Sequence, residues 1–437
     1  MINRILLILT LLGGSFCSPL YASYDLGNPN RPLASNEYAV IIEGFDWGPA
    51  VNKVILPVDE SVTSPNHHDY EVSVERKTEC TDLPAEQALG KRRVVYAYAS
   101  DEEGNVTAGE NHVTLVLEVA PNLPLSSPIQ YTQNEKCRGN NWVNYSLTIT
   151  NTVTNQSWDQ EANRIMPLID RFDLSGKFSY QGMPTMSYAS YAPETTNKKL
   201  PLLIWLHGGG EGGTDPSIPL IANRAANYAS DEIQSLLGGA YVLVPQAPTY
   251  WMDNGEGGLT TGDKNDIYNE ALMALIQEYM DANPNIDQDR IYVGGCSNGG
   301  YMTLKLLLLH PEYFAAAFPS ALAYSSEYIT DEQLASIKNI PMWFVHAKDD
   351  NVTVANQTVI PVYKRLKAAG AENVYLSLYD HVVDITGFFG GKDFHYPGHW
   401  SWIYCHANEC RRDADGSLVK LNGRPTTIIE WLAAQSR

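Results

Sequence analysis

Hydrophobic and polar positions change their rhythm once along this chain, near Arg171. From residue 24 to residue 160 the apolar positions come in short runs: YAVIIEG, NKVILPV, YEVSVER, RVVYAYAS, HVTLVLEV and YSLTIT. These runs are rich in Val, Ile, Tyr and Thr and are separated by turn residues such as EEGN and APNLP, which predicts about six strands at sandwich spacing. No long helical period appears among them. The expected first unit is an all-β, immunoglobulin-like sandwich over 24–160.

Beyond Arg171, GKFSYQG and MSYASYAP predict two leading strands. LPLLIWL is then an unbroken apolar run that ends in HGGGEGG, the pattern of a strand buried on both faces that feeds a glycine-rich loop. AYVLVPQAP, RIYVGG, YFAAAFPS, IPMWFVHA and NVYLSLYD predict further strands. Between them, DIYNEALMALIQEYMDANP carries a helical period through Ile267, Ala271, Leu275 and Tyr279, and Pro284 stops it. GYMTLKLLLLHP, NQTVIPVYKRLKAAG and the closing TTIIEWLAAQS predict three more helices. This alternation predicts an α/β domain over 171–437, with a mostly parallel sheet and flanking helices.

The start of the chain belongs to neither unit. Arg4 precedes the short apolar core ILLILTLLGGSF, and PLYAS supplies small residues for cleavage, so 1–22 reads as a secretory signal peptide and the protein as secreted or periplasmic. Nothing else is long and apolar enough to span a bilayer, so no membrane partner is expected once the leader is removed. Export favours cysteine pairing. Cys80 and Cys137 are placed to staple the first unit, Cys405 and Cys410 in CHANEC are expected to close a small disulfide loop, and Cys296 is left over. None has zinc-type spacing, and no metal is expected. The 437 residues suit two domains, and the formal charge of −20 argues against a nucleic-acid partner.

Candidate chemistry centres on GGCSNGG, residues 294–300, which offers Cys296 and Ser297 side by side. A G-x-S-x-G frame is completed by Gly295, Ser297 and Gly299, whereas centring it on Cys296 requires a glycine where Asn298 stands. A strand enters this turn and a helix leaves it, which is the nucleophile elbow of α/β-hydrolases. Cys296 is then a small apolar residue facing the sheet. A serine needs a base, and the chain order in that fold is nucleophile, acid, histidine. Asp349 and Asp350 follow IPMWFVHA, and His395 and His399 follow NVYLSLYD, so the residues alone leave both choices open. His346, His310 and His381 read as structural. HGGG at 207–210 fits an oxyanion loop, with backbone N–H donors at Gly209 and Gly210 complemented by that of Asn298.

Taken together and in order, LHGGGEGGTD, VLVPQAPTYWMD, GGCSNGGYM, WFVHAKDDNVTV and GHWSWIY give a specific resemblance. The chain resembles the secreted esterases and prolyl-oligopeptidase-like serine hydrolases that carry an N-terminal immunoglobulin-like domain, relatives of polyhydroxybutyrate depolymerase-like and feruloyl-esterase-like enzymes. The resemblance implies a triad of Ser297, Asp350 and His399: the acid lies four residues after the strand-ending histidine, and the base opens an H-x-x-W block with Trp402. A departure is Thr353-Val354, where many relatives have Val-Pro. The implied activity is hydrolysis of a small-molecule or polymeric carboxylic ester through an acyl-enzyme, with no cofactor. Trp251 and Trp402 are candidate substrate-binding residues. Two alternatives stand beside it: a serine peptidase of the prolyl-oligopeptidase type acting on short peptides, and a secreted binding protein with an inert hydrolase half. For the sandwich, polymer binding, covering of the active site and oligomerisation are all open.

Overall fold

A computed structural model describes residues 31–59, 62–107, 111–194 and 198–437. The expected leader lies outside the described residues. In the N-terminal unit, period-two patterning sets which side faces in: along Tyr70–Lys77, Tyr70, Val72, Val74 and Arg76 are buried while Glu71, Glu75 and Lys77 are not. Two sheets pack on such faces. One has the order Gln160–Ile165, Glu37–Phe45, Gly48–Pro57, His112–Leu117, Val94–Ser100; the other has Ser157–Trp158, Asn144–Asn151, Tyr70–Lys77, Leu89–Arg92. The sandwich thus runs past residue 160, because Gln160–Ile165 pairs in parallel with the first strand. The sequence QEANRI has no apolar alternation to announce that strand.

Ile129–Gln133 and Arg138–Trp142 pair only with each other, as a hairpin outside both sheets. A disulfide between Cys80 and Cys137, 57 positions apart, ties the turn of this hairpin to the sandwich. Asn134 Nδ2 adds a bond to the Cys80 carbonyl at 2.8 Å, and buried Arg76 donates to the Ile129 carbonyl at 2.9 Å. The expected Cys405–Cys410 bridge is not formed, which corrects the sequence reading: both cysteines are free and buried. Cys405 lies on the helix Trp402–His406 with its Sγ 3.1 Å from Ser320 Oγ. The Cys410 thiol meets that of Cys405, with Tyr379 and Ser377 also beside it. Proximity in sequence brings the sulfurs together as hydrogen-bonded thiols that share their neighbours' hydroxyls, without a covalent bond.

The second unit is an eight-stranded sheet. Its strands are β1 (Asp173–Phe178), β2 (Met186–Tyr191), β3 (Leu200–Leu206), β4 (Tyr241–Gln246), β5 (Ile286–Cys296), β6 (Ala316–Ser320), β7 (Met342–Ala347) and β8 (Val374–Tyr379), in the order 1-2-4-3-5-6-7-8. The first three neighbours pair antiparallel and the rest in parallel. Every residue of β3 and β4 is buried, as continuous apolar runs require. One hydrophobic cluster extends from the sandwich interior (Val40, Val54, Leu115) to one face of this sheet (Leu203, Trp205, Phe318), so the two units share a core. Asp46 of the sandwich and Arg224 of the second unit form a 2.6 Å ion pair at the seam. No helix among the described residues is long and apolar enough to cross a membrane.

The hairpin staple gives a direct expectation. Replacing Cys80 and Cys137 by Ser frees a 57-residue span of the unfolded chain, and chain-entropy reasoning puts the lost stability at about 4 kcal/mol. Denaturant unfolding of the double variant against the parent measures this, and thiol counting of the unfolded, non-reduced parent should find Cys296, Cys405 and Cys410 free. An unchanged midpoint would contradict the staple.

Candidate active site

Ser297 sits between β5 and the helix Asn298–Leu309 with φ 54° and ψ −110°. A non-glycine residue held there stores of order 1–3 kcal/mol of strain. Glycines make the turn fit. A Cβ on Gly299 would lie 1.9 Å from the Leu206 carbonyl oxygen, and one on Gly295 would lie 2.6 Å from Gly299 backbone atoms. The side chain of Ser297 is thereby presented at the C-terminal ends of β3 and β5. Cys296, one residue earlier, is fully buried, and its thiol is pushed well up by burial.

His399 lies on a single turn, Gly398–Trp400. Its Nε2 is 2.9 Å from Ser297 Oγ, and its Nδ1 is 2.9 Å from Asp350 Oδ2. The Asp350 carboxylate also accepts from the Val352 and Thr353 N–H groups at 2.8 and 2.9 Å and from Thr353 Oγ1 at 2.7 Å. Burial alone raises this carboxyl, but hydrogen bonds from His346, His399 and Thr353 outweigh it and hold the group far below the usual carboxylate range. His346, fully buried, donates from Nε2 to the Thr353 carbonyl at 2.7 Å. Thr353, the departure noted in the sequence, is therefore a direct support of Asp350. Asp349 points elsewhere: its Oδ2 is 2.7 Å from His381 Nδ1, and His381 stacks on His395. Of the two acids and two histidines left open, Asp350 and His399 are the pair brought to Ser297.

The glycine-rich loop after β3 is anchored from below. His207 accepts the Ala247 N–H on Nε2 at 3.0 Å, while its Nδ1 lies 2.6 Å from the Gly208 carbonyl, to which it donates. Burial lowers this imidazole to about 4, so it is neutral. Gln246 Nε2 donates to the Glu211 carbonyl at 2.9 Å. The Glu211 carboxyl folds back under the loop and accepts from Asn140, from Asn223 and from the Gly208 N–H. A Cβ on Gly208 would stand 2.9 Å from Glu211 Oε2, so a side chain there would displace the carboxyl from the loop. The Asn298 side chain lies against Gly209, and its Oδ1 accepts the Met252 N–H at 3.0 Å. Asn298 opens its helix, where an N–H has no intrahelical acceptor. The loop and the elbow thus meet beside Ser297 with backbone donors on both.

The aromatic candidates have other places. Trp251 is wholly buried, packed on His207 at 5.1 Å between ring centroids, so it supports the loop from beneath and presents no face to a ligand. Trp402 is nearly buried and meets the His399 ring edge-on at 5.4 Å. Phe388 and Phe389 line a cavity of about 610 Å³ at the domain seam, together with Trp47, Met166 and Arg224; neither Ser297 nor His399 is in its wall. Sequence reasoning missed Glu211, Asn140 and Asn223. The E of HGGGE was visible, but its burial and its partner in the other domain were not.

Two family models match this chain: the esterase Ig-like N-terminal domain over residues 37–163, and the prolyl oligopeptidase family over 250–335. Parts of both units are thus similar to serine hydrolases of the esterase and prolyl-oligopeptidase type. Among similar proteins, feruloyl esterase B of Neurospora crassa is 33% identical over 127 residues, 29% of this chain and 40% of the relative. A probable dipeptidyl-aminopeptidase B of Uncinocarpus reesii is 25% identical over 436 residues, 90% of this chain and 44% of that one. The chain thus spans less than half the length of these two curated relatives. The crystal structure of a thermostable esterase superposes with a TM-score of 0.71 at 24% identity, covering 92% of this chain and 99% of its own, a likeness of fold.

Glu211 yields a pH expectation. Burial raises its carboxyl from 4.5 to about 7, against the pull of its donors. The folded state then keeps a proton that the unfolded state releases, so stability falls as pH rises from 4.5 towards 7 and is level beyond. Glu211→Gln removes this dependence, so the stability of the variant relative to the parent should improve by ~3 kcal/mol between about pH 5 and about pH 8. Denaturant unfolding at both pH values measures it, and parallel curves for the two proteins would contradict a buried, proton-retaining Glu211.

Proposed function

We propose that this hydrolase is an exported carboxylic-ester hydrolase that works by acyl transfer on Ser297. The observation that carries the reading is the continuous relay Ser297 Oγ, His399, Asp350, with both of its links at 2.9 Å. His399 takes the serine proton as Oγ attacks the ester carbonyl carbon. Asp350, held ionised by the hydrogen bonds it accepts, keeps the imidazole N–H on Nδ1 and balances the imidazolium as it forms. The backbone N–H groups of the Gly209–Gly210 loop and of Asn298 receive the negative oxygen of the tetrahedral intermediate, where one such donor is typically worth about 10²–10³ in turnover. His399 then passes the proton to the leaving alcohol. Water, activated by the same imidazole, attacks the acyl-enzyme, releases the acid and restores Ser297.

Ester specificity draws on the esterase type of the N-terminal domain match and on the esterase whose fold this chain shares along nearly its whole length. Export draws on the leader pattern and on the Cys80–Cys137 disulfide, a bond that persists in oxidising compartments. A peptidase reading has one observation of its own, the prolyl-oligopeptidase match over 250–335.

A panel of p-nitrophenyl acyl esters, methyl ferulate, soluble polyester oligomers and aminoacyl anilides separates these readings. Esters should be hydrolysed and anilides not; cleavage of anilides alone would replace the esterase by a peptidase, and no cleavage of any would favour an inert binding protein. A fluorophosphonate should label Ser297, Ser297→Ala should abolish labelling and turnover, and Cys296→Ala should keep most activity. Asp350→Asn should lower kcat by roughly 10⁴, because the wrong tautomer is then favoured. Asp349→Asn should cost far less, since its partner is His381. The reverse ranking of the two aspartates would exchange their roles.

A further inference from the structure

The hairpin that belongs to neither sandwich sheet reaches across the domain seam to the loop beside Ser297. Its Trp142 Nε1 donates to Ser217 Oγ at 3.1 Å, and its Ile129 packs with Ile218 and Ala222 on the helix that follows the glycine loop. At the loop itself the grip falls on one residue. The Asn140 backbone N–H donates to the Gly210 carbonyl at 2.7 Å, and Asn140 Nδ2 donates to Glu211 Oε1 at 2.8 Å. Gly139, at φ +77°, lets the strands approach: a Cβ there would lie 2.2 Å from the Gly210 oxygen. Arg138 caps the contact with its guanidinium 4.8 Å from the Tyr250 ring centroid.

The loop needs such a grip. Three successive glycines leave its peptide planes free to rotate at little steric cost, whereas oxyanion donors act by being aimed before the reaction begins. Binding the Gly210 carbonyl fixes the orientation of the peptide that links Gly210 to Glu211. Binding the Glu211 carboxyl holds the next side chain under the loop, where it also takes the Gly208 N–H. Asn140 thereby clamps the loop on both sides of one peptide bond.

We infer that Asn140 of the immunoglobulin-like domain is a positioning residue for the oxyanion loop, so that the sandwich completes the active site of its own chain through the disulfide-tied hairpin. This rests on the serine-hydrolase reading given above. The role is distinct from polymer binding or assembly, since it needs no partner. It also makes the Cys80–Cys137 bond part of the path from sandwich to site.

The test uses the full-length chain with p-nitrophenyl acetate. Asn140→Ala should lower kcat about tenfold, the scale of one lost hydrogen bond to a charged group, with KM changed less than about twofold. Gly139→Ala, which drives a methyl group at the Gly210 carbonyl, should act the same way without removing a donor. Asn140→Asp is the decisive variant. It sets a second carboxyl against Glu211, where the other titratable neighbours are the Cys296 thiol, pushed up by burial, the neutral His207 and, across the hairpin from residue 140, Tyr131. A protonated carboxyl can still donate to Glu211, so the kcat of this variant relative to the parent at the same pH should recover at acid pH and fall as pH rises and the shared proton leaves. Parental kcat in Asn140→Ala, or a parental pH profile in Asn140→Asp, overturns the positioning role while fluorophosphonate labelling of Ser297 stands. Absence of labelling in the parent overturns the serine-hydrolase reading, and the clamp with it. If Asn140→Ala fails to fold, the pH profile of the near-isosteric Asn140→Asp decides alone.

Discussion

The site depends on a backbone contact too close for any side chain. At Gly299 the first turn of the elbow helix lies against the Leu206 carbonyl, so the end of β3 and the start of that helix meet without a Cβ between them. This contact sets the glycine loop after β3 beside the turn after β5. It also forces Ser297 into a positive-φ conformation that no ordinary strand-to-helix connection needs. The strain is affordable because β5 is buried between two parallel neighbours and has no freedom to relax. The proposed nucleophile and oxyanion donors are consequently fixed by main-chain geometry, and the side chains of His399 and Asp350 have only to be brought to them.

Around that fixed point, electrostatics divides two buried carboxyls. Asp350 and Glu211 are both removed from water, yet they are driven in opposite directions. Asp350 is surrounded by the hydroxyl and N–H of Thr353 and by two imidazoles, and stays ionised as the relay requires. Glu211 has amide donors only, and burial prevails, so near neutrality it moves between a neutral and a charged anchor. One supports the base and the other supports the loop. Thr353 illustrates how a departure from the pattern of relatives is compensated on the spot, since its hydroxyl adds a donor to Asp350 where a valine has none.

Much of this was legible in the sequence, and the exceptions share a cause. The apolar runs of β3 to β8 and the helical periods between them are local signals, and so is the G-x-S-x-G frame that separates Ser297 from Cys296. Chain order narrowed the acid and the base to two residues each. Choosing Asp350 over Asp349 took either the resemblance or the hydrogen bond to His399, because adjacent turn residues differ only in where they point. The hairpin 129–142 was missed because IQYTQ and RGNNW are polar and draw their order from the disulfide and from the neighbouring domain. Glu211, Asn140 and Asn223 are joined across long stretches of sequence, beyond any local pattern. Trp251 was read as a substrate wall from its type and place, and burial against His207 gives it a supporting role. Export and close spacing point to a bond between Cys405 and Cys410, but neither carries information on side-chain geometry.

In the proposed reaction one serine, held by the elbow and served by His399, carries the acyl group. The most direct test is to mix the protein with excess p-nitrophenyl acetate, quench with acid within the first turnover, and weigh the intact chain before mapping its peptides. A burst of p-nitrophenol near one equivalent, matched by a single acetyl group on Ser297, is the expected result. An acetyl group on Cys296, or a burst with no acylated protein, would contradict it.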